Sequence, residues 1–259
     1  MSVLVTGANS GIGLEFVRQL VQHEKYPRYV FATYRSKGTI QELENIKKSS
    51  DRCQVILIQA DVTNKEDVKS LRNSIEEIVG DKGLNMLINN AGALRIGSYG
   101  KLTEEDMLFH FKTNTVGPVT VFKEMLPLLV KGNESKPNGE LFQVKVLNIS
   151  SMAGSIGDLG EIPLELVEST ISYRTSKAAL NMAMRSIAIA LKDKGILMVN
   201  MGPGYVITDK GSTSADVAES VSLTIDVPES VSAMLKTLPT LDQSRHGDFM
   251  DRHGRAIAY

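Results

Sequence analysis

Tyr173 and Lys177 stand four residues apart in the run Ser172-Tyr173-Arg174-Thr175-Ser176-Lys177-Ala178-Ala179-Leu180. The run reads as helix, and residues four apart lie on one helical face, so a phenol and an ammonium can converge on one point. A cation beside a phenol favours the phenolate and draws the tyrosine pKa down from its reference of about 10. That chemistry would give a proton donor or acceptor usable near neutral pH. Any helix can carry a Tyr and a Lys at this spacing, however, so the surrounding elements must decide.

Those elements alternate. Short β-branched runs at Val3–Thr6, Tyr29–Thr33, Val55–Ala60, Met86–Ile88, Val144–Ile149 and Leu197–Met201 predict strands. They are almost continuously apolar, the pattern of strands covered on both faces. Helices are predicted over Ile12–His23, Ile40–Lys48, Lys65–Val79, Glu104–Leu129 and Tyr173–Lys192, the last carrying a stripe of Leu180, Met184, Ile187 and Leu191. Pro118 and Pro127 should kink or end segments of the long fourth helix. Lys131–Gly139 reads as a polar loop, and the region after Thr208 as a mobile loop leading to a helix near Pro228–Leu238. Met182, Met184 and Met198 are expected in core or interface packing. Strand-helix alternation implies right-handed crossovers and a parallel sheet. The expected fold is one doubly wound Rossmann-type α/β domain spanning 1–259, with seven strands in the order 3-2-1-4-5-6-7 and a substrate loop and C-terminal helix over about 205–259.

Composition excludes several classes. The chain has 259 residues, 42% of them apolar, and a net charge of -1. Nothing points to nucleic acid or an acidic membrane surface. No apolar run approaches the roughly 18 residues of a membrane span. Cys53 is the only cysteine, which suits a reducing, cytoplasmic setting. The start, Met1-Ser2-Val3-Leu4-Val5, lacks the basic segment of a signal or transit peptide. His23, His110, His246, His253 and Cys53 show no metal-ligand spacing, so no metal is expected. His110 is read as a partly exposed helix residue.

The first strand runs into Thr6-Gly7-Ala8-Asn9-Ser10-Gly11-Ile12-Gly13. Glycines at such a turn let backbone approach a pyrophosphate, and the following helix offers free N–H groups and a positive dipole end. The spacing is G-x-x-x-G-x-G rather than the commoner G-x-G-x-x-G. The second strand ends at Thr33-Tyr34-Arg35 without the carboxylate that selects NAD. Arg35 could instead meet a 2′-phosphate, which favours NADP(H), or could be a solvated surface arginine. Asp61-Val62 closes the third strand where an adenine could lie, though Asp61 could equally cap the helix near Lys65.

Taken in order, Thr6-Gly7-x-x-x-Gly11-x-Gly13, Asn89-Asn90-Ala91-Gly92, Asn114, Asn148-Ile149-Ser150-Ser151, Tyr173-x-x-x-Lys177 and Pro203-Gly204 resemble the short-chain dehydrogenase/reductase superfamily over nearly the whole chain. Tyr173-Arg174-Thr175-Ser176-Lys177, Pro203-Gly204-Tyr205-Val206-x-Thr208-Asp209 and Gly247-x-Phe249 before Gly254 resemble its small carbonyl reductases of the sniffer type, relatives of the bacterial C-factor. The resemblance implies roles. Tyr173 would exchange the proton, and Lys177 would lower its pKa and bond the nicotinamide ribose. Ser151 would hold the substrate oxygen, and Asn114 would anchor a relay water. Gly7, Asn9, Ser10, Gly11, Ile12, Gly13, Arg35, Asp61, Val62, Asn90, Ala91, Gly92, Pro203, Gly204, Val206 and Thr208 would contact the cofactor, with Asn89 beside its path. Ser150 and Ser151 could instead cap a turn, Asn114 could be structural, and Asn89 and Asn90 could merely close a turn.

Ser151 and Tyr173 lie farther apart than is usual in that superfamily. The extra residues fall within Gly154–Thr170 and should shape substrate access or an oligomer contact. The expected activity is NADPH-dependent reduction of an aldehyde or ketone by a homo-oligomer, either dimer or tetramer. The alternatives are a non-catalytic NADP(H)-binding signalling or sensor protein, or an alcohol dehydrogenase working mainly in the oxidative direction.

Overall fold

Leu4 and Phe31 turn to one face of a sheet while Val3, Val5, Val30 and Ala32 turn to the other, and all six are buried. A strand pattern apolar on both sides requires cover on both sides. The structure, a computed structural model, describes residues 1–37, 40–135, 145–206 and 224–259. Its strands are β1 Ser2–Val5, β2 Tyr29–Tyr34, β3 Gln54–Gln59, β4 Met86–Asn89, β5 Lys145–Ile149, β6 Leu197–Gly202, a short pair β7 Tyr205–Val206 and β8 Thr224–Ile225, and β9 Phe249–Asp251. Seven form one parallel sheet in the order β3-β2-β1-β4-β5-β6-β9. This is the expected Rossmann-like α/β domain, with β9 as its seventh strand.

The helices are α1 Gly11–Gln22, α2 Gln41–Ser49, α3 Lys65–Val79, α4 Glu104–Phe111, α5 Gly117–Glu134, α6 Leu164–Ser169, α7 Ile171–Ala190 and α8 Val227–Thr237. One face of the sheet packs on Phe16, Val17, Leu20, Leu43, Val231 and Met234 of α1, α2 and α8. The other packs on Leu71, Ile75, Phe122, Met125, Leu180 and Met184 of α3, α5 and α7. Each such side chain removed from water contributes roughly 1.5–3 kcal/mol. The chain crosses from one half of the sheet to the other between β1 and β4, and the carboxyl ends of these two strands open a crevice there.

Several expectations are corrected. Pro118 does not end the helix: it sits in the first turn of α5, which directly follows the helical Val116, and α5 continues through Pro127 to Glu134. The break in the long helix lies earlier, in a π turn at Lys112–Val116. Lys131–Glu134 is therefore helical, Ser135 is its C-cap, and 136–139 of the predicted loop lie outside the described residues. His110 is buried, at 1% exposure, because its Nδ1 bonds the Asp106 carbonyl and its Nε2 accepts from the Arg95 backbone N–H. Met184 and Met198 are core, whereas Met182 is 67% exposed. The residues between Ser151 and Tyr173 form short 3₁₀ turns and α6, tied down by Gly97 N–H donating to Ser169 O and Gly157 N–H donating to Tyr259 O.

Candidate functional site

The glycine turn is built for close approach. Gly7 and Gly11 have φ of 62° and 52°, where a Cβ is strained. A Cβ on Gly13 would sit 2.4 Å from both Gly7 O and Asn90 Nδ2. Asn90 braces the turn by donating to Thr6 O at 2.9 Å and Gly7 O at 3.1 Å, while Thr6 Oγ1 accepts from the Asn90 and Ala91 N–H groups. Ser10 starts α1 without a side-chain cap, and no acidic residue stands in its first turn. α2, α3 and α4 each carry acidic first turns. The amino end of α1 thus keeps its N–H groups and partial positive charge for a ligand's phosphate.

A cavity of about 570 Å³ runs from this turn across the carboxyl end of the sheet. Gly7, Asn9, Ser10, Gly11 and Ile12 line one end, beside Arg35, Asp61 and Val62. Asn90, Ala91 and Gly92 line its floor, Ser151, Tyr173 and Lys177 its far wall, and Pro203, Gly204 and Val206 its rim. Arg35 is exposed at the end of β2. Asp61 does not cap α3; its Oδ1 accepts from Thr63 N–H and Oγ1 at 2.8 Å, and Asn64 is the cap. An extended dinucleotide fits this shape and donor set: a glycine cradle that any Cβ would fill, free helix N–H groups, and a cation where the second strand ends. Thr208 lies outside the described residues.

The chemistry-bearing wall is held by β5 and α7. Lys177, 5% exposed, reaches across to donate to Ile149 O at 2.7 Å. Burial pushes its amine down from 10.5 to about 8. Its Nζ lies 5.8 Å from the centre of the Tyr173 ring. The phenol's pKa does not fall, as the sequence led us to expect. Burial raises it above 10.0, with the Ser151 hydroxyl and the Arg174 guanidinium acting in the opposite sense. Desolvation of the phenolate outweighs both of these. His110 sets its ring edgewise to Tyr173, with centroids 6.3 Å apart.

Ser150 and Ser151 divide two tasks. Ser150 is buried and donates to Asn181 Oδ1 at 2.6 Å. Ser151 lines the cavity and also accepts from Ala153 N–H at 3.1 Å, so it caps a turn and keeps its O–H proton for a ligand. Asn114 sits in the π turn, behind the cavity wall. It accepts from Ala93 N–H at 2.8 Å and donates to Ala93 O at 2.9 Å and Ser176 Oγ at 3.0 Å. A Cβ on Gly92 would lie 3.2 Å from Asn114 Oδ1 and 3.9 Å from Lys177 Nζ, so both side chains converge over that glycine.

Asn89 is not beside the cavity. It is buried and opens an amide ladder through Asn148 to Asn200 across β4, β5 and β6, with links of 2.9 and 3.0 Å. Sequence reading also missed Phe109, Leu166, Thr170, Arg174 and Tyr205, all of which line the cavity. Arg174 and Tyr205 lie inside motifs already singled out, Leu166 and Thr170 lie in the extra stretch expected to shape substrate access, and Phe109 carried no signal.

Residues 1–217 match the family model for short chain dehydrogenase. The chain belongs to that family. Among solved structures it is similar to an NADPH-bound carbonyl reductase from chicken fatty liver, with 37% identity, a TM-score of 0.90, and cover of 100% of this chain and 94% of that one. It is also similar to the carbonyl reductase Sniffer of D. melanogaster, with 32% identity, a TM-score of 0.85, and cover of 100% and 99%. An uncharacterized oxidoreductase of Schizosaccharomyces pombe (strain 972 / ATCC 24843) is 30% identical over 265 residues, 98% of this chain and 96% of that protein.

Proposed function

We propose that the protein is an NADPH-dependent carbonyl reductase acting on an aldehyde or ketone. The observation that carries this reading is the convergence of Ser151, Tyr173 and Lys177 on one wall of a cavity whose other end is the glycine turn. One carbonyl reductase named for bound NADPH shares its fold at 37% identity, which supports the same cofactor here. NADP(H), when bound, supplies the hydride for the carbonyl carbon.

This chain's residues supply the rest. The Ser151 O–H donates to the carbonyl oxygen and stabilises the charge that develops there. Tyr173, kept protonated by burial, delivers its proton to that oxygen. Lys177 holds the proton relay open behind it, with Asn114 over Gly92. Ala91 and Gly92 keep the floor low, and Pro203, Gly204 and Val206 close the rim. The whole chain, 1–259, acts as one oxidoreductase unit with its substrate loop and C-terminal helix in 205–259. A cytoplasmic NADPH pool kept reduced favours the reductive direction over alcohol oxidation. The test is consumption of NADPH absorbance by purified protein with a panel of dicarbonyls, quinones and aldehydes. Inertness toward the whole panel would overturn the reading and leave the signalling alternative.

Arg35 supports the choice of NADPH. It is an exposed cation at the cavity's nucleotide end, and the neighbouring Asp61 is already engaged by Thr63. A charge-assisted contact of about 1.5–3 kcal/mol predicts that Arg35→Ala raises the Kd for NADPH roughly ten- to hundredfold, with NADH little changed. NADPH fluorescence titration reads both, and equal losses would remove the phosphate contact.

The exposed apolar side chains of Met107, Leu108 and Phe111 on α4, of Val116 in the π turn that follows it, and of Met182 and Ile189 on α7, favour self-association through this surface. Light scattering should give the mass of a dimer or tetramer. A monomer at micromolar concentration would refute it.

A further inference from the structure

Arg174 is a charged side chain that lines the cavity next to Tyr173 in α7 and carries a donor atom without a partner. It is 7% exposed, lines the cavity, and directs Nε to Thr170 Oγ1 at 2.9 Å. Its Nη1 is buried with no hydrogen-bond partner. A guanidinium cannot discard its proton to escape burial, and a buried cation without a partner is costly. Leu94, Ile96, Phe109, Leu166 and Tyr205, which line the same cavity, are apolar or neutral. Among the described residues lining the cavity, Asp61 is the only carboxylate, and it stands at the nucleotide end bonded to Thr63. The described cations lining the cavity are Arg35, at that same far end, Lys177, committed to Ile149 O, and Arg174.

We propose that Arg174 is the docking point for a carboxylate on the substrate, so that the protein prefers carbonyl compounds carrying one carboxylate on an apolar frame. The proposal rests on the carbonyl reductase reading for the location of the reacting carbon. A single guanidinium fork matches a planar monoanion, whereas a phosphate dianion would call for more cations than this wall offers. Arg174 follows Tyr173 in α7 and lines the same cavity, which puts an anchored carboxylate on the wall that carries Tyr173 and Ser151. A purely structural alternative exists: Arg174 could simply brace Thr170, at the end of the segment that separates Ser151 from Tyr173.

The three isomeric carboxybenzaldehydes and their methyl esters separate the two roles. With NADPH and the wild-type protein, at least one acid should exceed its ester in kcat/KM by about tenfold or more, because the ester leaves the buried donor unpaired. In Arg174→Met the acid-to-ester ratio should fall to about one, and Arg174→Lys should restore part of it. A wild-type ratio near one for all three pairs, or an unchanged ratio in Arg174→Met, would overturn the proposal and leave the brace. Should no aldehyde be turned over, the reductase reading fails by itself. The carboxybenzyl alcohols and their esters are then titrated calorimetrically onto the NADP⁺-loaded protein. Acid-selective binding that Arg174→Lys weakens sustains the carboxylate site, and binding without acid preference removes it.

Discussion

Tyr173→Phe is expected to lower kcat/KM for carbonyl reduction by roughly 10²–10⁴-fold, the usual worth of a positioned general acid, while NADPH binding stays within about twofold. The phenol is the one proton donor on this wall placed to serve the reacting oxygen. Lys177 gives one N–H to Ile149 O and stands behind the phenol as part of the relay, and Ser151 can donate a hydrogen bond but has no proton to lose near neutrality. Removing one oxygen leaves the ring in place against His110, so the wall keeps its shape. Burial holds the phenol above 10.0, so at neutral pH it is already loaded for reduction. The sign follows: reductive kcat/KM should hold through neutrality and fall as alkaline pH strips the donor, and a profile falling toward acid would contradict it. Stopped-flow reduction with fluorescence titration of NADPH separates chemistry from binding. Wild-type turnover in the phenylalanine variant, or a parallel loss of cofactor binding, would unseat Tyr173 as the acid.

The parts of this fold that are written in local patterns were legible in sequence. Six of the seven sheet strands are mainly apolar runs, and the glycine turn follows the first of them, so the sheet and the nucleotide end could be placed without coordinates. β9 is three residues long and owes its existence to pairing with β6, a long-range contact with no local period. The π turn at Lys112–Val116 escaped for a related reason: Asn114 and Thr115 within it bond across to Ser176 and Ala93, contacts with no local period. His110 looked like a half-exposed helix residue because spacing cannot reveal that the Arg95 N–H arrives from a loop to satisfy it. Pairing by spacing also misjudged electrostatics. Residues four apart on a helix do bring Tyr173 and Lys177 together, but burial of both groups sets the direction of their pKa values, and burial is a property of the folded molecule.

That burial makes Lys177 a stability cost, and Lys177→Met should expose it. A folded-state amine at about 8 against an ordinary 10.5 means that the unfolded chain binds more protons between those two values, so stability rises with pH through that window. Below about 8 the full penalty is present, on the order of 3 kcal/mol. Methionine has nearly the same length, no charge to desolvate, and forfeits only the bond to Ile149 O, worth about 1 kcal/mol. The variant should therefore melt roughly 5 °C above wild type at neutral pH, and the gap should close as pH climbs from about 8 toward 10.5 and the wild-type amine discharges. Turnover should move the other way, falling on the order of 10²-fold or more as the proton relay is lost. Differential scanning fluorimetry across pH reads the first effect and NADPH oxidation the second. A variant no more stable than wild type at neutral pH, or a gap independent of pH, would mean that the amine is solvated in the folded protein. The sheet's carboxyl end would then hold an ordinary lysine. With the predicted pattern, the chain keeps a destabilising cation at one buried position because the reaction there needs it, which is the trade between stability and activity expected of a working site.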